Sequence, residues 1–185
     1  MATDDDYLAA PADLGTLLGK PADDPKLLLH LRSASSRFRG AVGHRVTLVA
    51  DEQIALDGNG RESLLLPVWP TTAVASVYLD GVLLVEGADY QWSHDGLLRR
   101  LGCSHWPDRL RCLRVVYSHG WAVVPEDIAE AVLDKAAAMA AIPIGVASKA
   151  VGGQSVTFGA QQAIGVTEQW QQAVNRHKIR TSGDA

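Results

Sequence analysis

Apolar residues recur with a helical period near the start of the chain. Between residues 26 and 42 they return every three or four residues and so form one stripe. The stripe consists of Leu27, Leu31, Ala34, Phe38 and Ala41. Asp24 is a residue type that caps helices, Pro25 suits the first helical position, and Gly43 is a typical stop. We therefore predict a long amphipathic helix here, preceded by a shorter one around Ala12 to Leu18.

From Arg45 to Trp121 the period becomes strand-like. Short runs rich in β-branched and aromatic residues are separated by turn signals. The runs are VTLVA, QIALD, SLLLPVW, VASVYLDGVLL, YQWS, GLLRRL and RCLRVVYSHGW. Asp80-Gly81, between two apolar runs, is the clearest hairpin signal. The regular spacing predicts an antiparallel β region that consists of meanders, without parallel crossovers.

A second long helix is predicted over VPEDIAEAVLDKAAAMAAI. Pro125 suits its first position, and Glu126 and Asp127 place negative charge at the positive end of the helix dipole. The alanine-rich run from Ala136 to Ala141 allows another helix to approach closely. This helix is therefore expected in the middle of a bundle.

After residue 144 the sequence becomes small, polar and rich in glycine. A strand-like island at residues 155–158 and a short helix capped by Thr167, with Trp170 and Val174 on one side, interrupt it. So few apolar anchors do not offset the entropy of ordering the segment, which is expected to become ordered on a partner. The predicted fold is α+β: a small α-helical bundle over residues 1–144 with an inserted antiparallel β region at about 45–121, and an extended C-terminal arm over 145–185 with a short strand and a terminal helix.

Composition agrees with one folded domain of ordinary size. Hydrophobic residues make up 47% of the 185 residues, which is more than a disordered chain contains. No run approaches the roughly 20 apolar residues that cross a bilayer, and the acidic start does not have the pattern of a secretory signal. We therefore expect a protein made and kept in the cytoplasm, without a membrane partner.

Charge is unevenly distributed, although the formal net charge is only −4. The first 25 residues hold six aspartates and one lysine, whereas residues 26–45 hold five basic residues and no acid. Arg32, Arg37 and Arg39 lie off the apolar stripe and are expected on an exposed helix face. Such a distribution fits head-to-tail contact between copies, and two solvated faces of a monomer are the alternative.

Candidate chemistry is sparse. Cys103, His105, Cys112 and His119 could in principle surround zinc, but they lack the short paired spacing of structural zinc sites. The two cysteines are expected to be reduced. Residues 57–60, Asp-Gly-Asn-Gly, favour a tight turn over a calcium loop, and no phosphate loop or dinucleotide fingerprint is present. The sequence predicts no catalytic residue, no metal and no cofactor.

Tryptophan placement suggests two kinds of environment. Trp92 and Trp121 lie beside strand residues and are expected in the core. Trp69 and Trp106 lie next to prolines in predicted loops, and we interpret them as surface anchors for a partner.

The order of these elements resembles that of the head–tail connector proteins of long-tailed bacteriophages (siphophages), also called adaptors or head-completion proteins. The resemblance covers the chain from about Asp24 to Arg180 and rests on four successive phrases, none of them catalytic. The phrases are DPKLLLHLRSASSRFRGAVGHRV, LDGNGRESLLLPVWPTTAVASVYLDG with YQWSHDGLLRR, LRVVYSHGWAVVPEDIAEAVLDKAAAMA, and GGQSVTFG with a closing helix ending in NRHKIR.

The resemblance implies a structural subunit without turnover. Copies of such proteins form a ring, typically twelvefold, beneath the portal protein at the capsid vertex. The ring extends the channel for double-stranded DNA, without sequence specificity, and offers a platform for a tail-side stopper or tail protein. This location implies a virion protein of the head–tail interface, made in the host cytoplasm.

The resemblance also suggests which residues make contacts. It implies that the glycine-rich arm docks on the portal, and that the basic helix faces a neighbouring subunit or the channel. The docking residues would be Ser155, Val156, Thr157, Phe158 and Trp170, and the helix residues Arg32, Arg37 and Arg39. The alternative is a soluble bacterial binding module that uses the β region as a ligand or partner platform. An enzyme built on the Cys/His cluster is a third possibility.

Overall fold

The computed structural model describes residues 7–141, 148–151, 154–157 and 167–179. These residues form two compact units. The helical unit contains the described residues up to Gly43 and from Val123 to His177. The β unit contains those from His44 to Ala122, together with Lys178 and Ile179. The predicted α+β fold class is confirmed.

The described part of the helical unit contains four helices and one short hairpin. The helices are α1 (Pro11–Leu18), α2 (Pro25–Val42), α3 (Glu126–Ala141) and α4 (Glu168–His177). The first three pack against one another, and α4 packs against both α2 and α3. Their common core is apolar and includes Leu8, Leu14, Leu27, Leu31, Phe38, Ile128 and Val132.

The ends of α2 follow the sequence prediction. The Asp24 carboxylate accepts hydrogen bonds from the backbone N–H groups of Lys26, at 2.8 Å, and Leu27, at 3.1 Å. The bond from Leu27 contributes most to lowering the pKa of Asp24. Gly43 ends the helix with a φ of 83°, a left-handed conformation that glycine adopts without strain.

The apolar stripe of α2 faces the core of the helical unit. Leu27, Leu31, Ala34 and Phe38 are buried as predicted, but Val42 continues the stripe in place of Ala41. Both positions lie one turn after Phe38, and the larger valine side chain removes more apolar surface from water. Full burial of such a side chain stabilises the fold by about 1.5–3 kcal/mol.

The β unit consists of two antiparallel sheets. The antiparallel pairing is as predicted, but the predicted meanders are wrong, because most neighbouring strands are not consecutive in the chain. One has the order β1-β7-β3-β4 and the other β2-β6-β5. The strands are β1 (Val49–Leu56), β2 (Ser63–Leu65), β3 (Thr71–Leu79), β4 (Val82–Leu84), β5 (Tyr90–Trp92), β6 (Leu97–Arg100) and β7 (Leu113–His119). The predicted runs VTLVA and QIALD merge into β1, which continues through an irregularity in pairing between Val49 and Glu52.

Side chains from both sheets meet in one core. It contains Leu64, Leu66, Val74, Val77, Tyr90, Leu98, Trp106, Cys112, Leu113, Val115 and Tyr117.

The predicted hairpin at Asp80-Gly81 is present. The φ angles of these two residues are 51° and 84°, and such positive values are typical of a type I′ turn. At Gly58 a Cβ atom would lie 1.7 Å from the carbonyl oxygen of Pro107, so this loop packs too closely to accept any side chain there.

An antiparallel hairpin follows α3 and precedes α4 in the sequence. It pairs β8 (Ser148–Val151) with β9 (Gln154–Thr157). The predicted strand-like island corresponds to β9, and its last residue, Phe158, lies outside the described residues. The sequence did not indicate β8, because its four residues, SKAV, show neither β-branched enrichment nor a clear alternation.

The terminal helix has the predicted cap at Thr167, but it does not lie in an extended arm as predicted. The Thr167 hydroxyl accepts a hydrogen bond from the Trp170 N–H at 3.2 Å. However, α4 packs on α2 and α3 and so belongs to the helical unit, whereas the sequence had suggested that it stands in an extended arm. The physical reason is that Trp170, Ala173 and His177 form one buried stripe along α4.

Candidate interaction surfaces

The basic face of α2 lies on the solvent side of the helical unit. Arg32 and Arg37 are exposed, and Arg39, in the last turn, is half-buried. Their position follows from the apolar stripe, which turns the opposite side of the helix towards the core. A cation in the last turn also stabilises the negative end of the helix dipole. Arg32 and Arg37 are therefore the residues of this face that are most accessible to another molecule.

The positive charge of this face extends to Lys135 on α3. Lys135 is buried, and its pKa is lowered first by that burial and then by the nearby Arg37 guanidinium. Its ammonium group lies 5.7 Å from the centroid of the Trp170 ring, an arrangement that stabilises a cation through the ring's negative face. The sequence did not predict this residue, because a lysine within an apolar helix is normally exposed.

The acidic residues near the N-terminus have several environments. Asp13 and Asp23 are exposed, and Asp24 serves as the cap of α2. Asp4, Asp5 and Asp6 lie outside the described residues. Among the described residues, the acidic cluster predicted from the sequence therefore contains two exposed aspartates. The basic face of α2 is exposed.

The predicted docking residues fall into two places. Ser155, Val156 and Thr157 lie in β9 of the hairpin. Trp170 is only 6% exposed and lies in the core of the helical unit. Its ring and the Phe38 ring pack edge to face, with their centroids 5.2 Å apart and an interplanar angle of 86°. The structure therefore separates the hairpin, which remains a candidate docking element, from Trp170, which holds α4.

The tryptophans of the β unit follow the sequence interpretation only in part. Trp92 packs against the β core, as expected, and is half-buried. Trp106, interpreted as a surface anchor, is completely buried, and its indole N–H donates to the Leu98 carbonyl at 3.2 Å. Trp69 and Trp121 are both half-buried and meet edge to face at 6.0 Å. A proline after a tryptophan indicates a loop, but a loop can still be covered by the sheets it connects.

A surface that the sequence did not single out lies at β4, the last strand of its sheet. Val82, Leu83 and Val85 are each more than half exposed. Asp80, in the adjoining turn, forms an ion pair with Arg109, next to the highly exposed Leu110. An apolar edge strand of this kind is a candidate contact with another chain. The sequence feature that could have indicated this surface is the apolar run Val82–Val85, which follows a tight turn.

The Cys/His cluster does not come together as a metal site. Cys103 is exposed, Cys112 is buried in the β core, and His119 contacts the Glu52 carboxylate. Among the described residues, no three histidine, cysteine or acidic side chains are placed to hold a metal ion. Nor is any helix in the described part of the chain both long and apolar enough to span a bilayer.

We expect the purified protein to contain no stoichiometric zinc. Elemental analysis of protein prepared without chelators should find well under one zinc per chain. The reason is that Cys103 is exposed whereas Cys112 is buried in the β core, so the two thiols are not placed to bind one ion. A Cys103→Ser variant is the matched control and should have the same metal content. A stoichiometric ion that this substitution removes would contradict the prediction.

Comparison with known proteins finds similarity to solved structures only. No protein-family model and no curated protein matches the chain. It is similar to a chain in the "neck of native GTA particle computed with C12 symmetry", where GTA stands for gene transfer agent. The TM-score is 0.53 and the sequence identity is 20%, and the match covers 99% of this chain and 95% of that chain. For a chain in the neck of the empty particle, computed with C6 symmetry, the TM-score is 0.54 and the identity 21%, with 99% and 95% coverage.

A chain in the virion of the native particle gives a TM-score of 0.53 at 21% identity, again over 99% of this chain and 95% of that one. At these identities the likeness shows a shared fold. It extends over nearly the whole length of both chains, so the helical unit, the β unit and the C-terminal elements all belong to it.

Proposed function

We propose that this chain is a structural subunit of the neck of a phage-like particle, at the interface between head and tail. The observation that carries the proposal is the end-to-end similarity of fold to chains of particle necks. The order of elements in the sequence supports the same role independently. Such a subunit acts through the shape of its surfaces and its contacts with neighbouring proteins, without catalysing a reaction.

Within the neck, the proposed role is that of a connector, or adaptor. Copies form a ring beneath the portal protein, extend the channel for double-stranded DNA and present a platform to a tail-side protein. The C12 and C6 symmetries used for the similar necks support a ring, and twelve is the proposed copy number. A closed ring of identical subunits needs two different surfaces that meet head to tail.

The β8–β9 hairpin is the proposed docking element for the portal. A two-stranded sheet leaves one edge of each strand without a partner from its own hairpin, and such a sheet is marginal alone in water. Addition of an extended segment of another chain to one edge would supply main-chain hydrogen bonds and a third strand. Ser155, Val156 and Thr157, in β9, form the edge that the proposal assigns to this contact, followed in sequence by Phe158.

Cryo-electron microscopy of particles assembled with and without this chain tests the proposed function. Heads that carry a portal but lack the chain should end at the portal and should not bind tails. Addition of the purified chain should produce a ring of copies below the portal and restore tail joining. Normal necks in particles that lack the chain, or its absence from the necks of complete particles, would refute the proposal.

The basic face of α2 is proposed as one side of the contact between adjacent copies. Reversal of the charge at its two exposed residues, in an Arg32→Glu/Arg37→Glu variant, is expected to weaken ring formation on portal-bearing heads about 10- to 100-fold at low salt. Single exposed ion pairs contribute about 0–1 kcal/mol, and reversal adds repulsion. The difference should shrink as salt rises, because salt screens exposed charges. Mass photometry of assembled rings gives the measurement.

The matched control changes the net charge equally in the β unit. Arg99 and Arg111 are both exposed, so an Arg99→Glu/Arg111→Glu variant lowers the net charge by the same amount. If the two variants weaken assembly equally, the effect is one of net charge, and the α2 face has no specific role. The half-buried Arg39 is tested separately, because its reversal also places an acid at the negative end of the helix.

A further inference from the structure

Helix α4 is attached to the helical unit at both of its ends. In its first turn, the Trp170 ring packs edge to face on Phe38, with the Lys135 ammonium group above it. At its last turn, the Arg176 guanidinium and the His177 ring nitrogen Nε2 each lie 3.0 Å from Oδ2 of Asp127. Both Trp170 and His177 are buried. The contacts at the two ends together fix the position and direction of the helix.

These contacts show that α4 runs antiparallel to α3. Asp127 lies in the first turn of α3 and contacts the end of α4, whereas Lys135, two turns further along α3, contacts the beginning of α4. The end of α3 and the beginning of α4 therefore point towards the same end of the helical unit. The β8–β9 hairpin lies in the chain between these two points.

We propose that α4 is a clamp that positions the β8–β9 hairpin for docking, so that the hairpin is a loop held at both ends and not part of a free tail. Trp170 and Asp127 are the positioning residues. This inference rests on the proposed docking role of the hairpin. A segment held at both ends explores a smaller volume than a tail held at one end, so less entropy is lost when it meets its partner.

The decisive experiment opens the loop without removing any residue. A protease site is inserted between Thr157 and Thr167, and the insertion variant is compared before and after cleavage. Cleavage leaves every contact of α4 available but holds the hairpin at one end only. Docking on portal-bearing heads is expected to weaken about tenfold or more, since the chain then no longer connects the hairpin to α4. The uncut insertion variant is the matched control and should dock as the parent does.

A second variant separates positioning from general stability. Trp170→Ala should weaken docking in the uncut chain, because it loosens the clamp, but should add little once the chain has been cut. The milder Asp127→Asn, which leaves the Trp170 contacts in place, should give a smaller effect in the same direction. Circular dichroism at the assay temperature confirms that each variant is folded.

The possible results distinguish the clamp from the proposed function. If the uncut insertion variant and the parent both fail to bind portal-bearing heads, the proposed function is wrong. If both bind and cleavage has no effect, the clamp is wrong and the function stands. The clamp is also wrong if Trp170→Ala weakens docking equally in cut and uncut chains, because the residue then acts only through stability.

Discussion

Replacement of Trp106 by alanine is expected to lower the free energy of unfolding of the β unit by about 3–5 kcal/mol, the range typical for truncation of a buried aromatic residue. Trp106 is completely buried between the two sheets and makes a hydrogen bond to the Leu98 carbonyl. The substitution leaves a cavity and removes a buried hydrogen bond, and both losses destabilise the fold. Urea unfolding followed by far-ultraviolet circular dichroism measures the loss.

Trp92→Ala is the matched control for this prediction. Trp92 is half-buried at the edge of the same core, and its indole N–H donates to the exposed Glu86 carboxylate at 2.8 Å. Water can replace that bond, and less apolar surface is lost, so about 1–2 kcal/mol is expected. If Trp106→Ala cost less than its control and instead impaired assembly, Trp106 would be a surface anchor, as the sequence alone suggested.

The sequence predicted the local elements well because their signals are local. The Asp24 cap, the Gly43 stop and the spacing of Leu27 to Phe38 are properties of a single helix, and all are observed. The Asp80-Gly81 turn is likewise local. The antiparallel character of the β region followed from the spacing of such turns.

Burial between distant segments was harder to predict. Trp106 and Trp170 both sit in polar or proline-containing stretches, yet both are core residues. Their burial depends on Leu98, on Phe38 and on the sheets and helices that bring these residues near. No window of sequence contains that information. The same reason explains why Lys135, beside Trp170, was not recognised.

The position of α4 makes simple truncation an ambiguous test of the C-terminal segment. Truncation after Ile144 would remove Trp170, Ala173 and His177 from the core of the helical unit. Such a chain would lose stability as well as the hairpin, and a failure to join heads to tails would have two explanations. A test of the hairpin therefore has to change its edges and leave α4 in place.

Ser155→Pro is expected to weaken the proposed docking strongly while the hairpin and the helical unit stay folded. Only two residues lie between the paired Val151 and Gln154, so this closing pair is the one that exchanges hydrogen bonds. Pairs alternate along an antiparallel ladder, so the backbone N–H groups of Ser155 and of its partner Ala150 point away from the hairpin. Proline at either position leaves the bonds within the hairpin intact.

Proline at Ser155 removes the one donor that an added strand needs there and places a ring in its path. A lost hydrogen bond with an unsatisfied acceptor costs about 2–3 kcal/mol, or roughly 30- to 150-fold in affinity for each copy. Ala150→Pro makes the same change on the β8 edge and is the matched control, which should dock normally. Binding to portal-bearing heads is measured for both variants. If only Ala150→Pro fails, the partner strand adds to β8; if both dock as the parent does, the hairpin does not dock by strand addition.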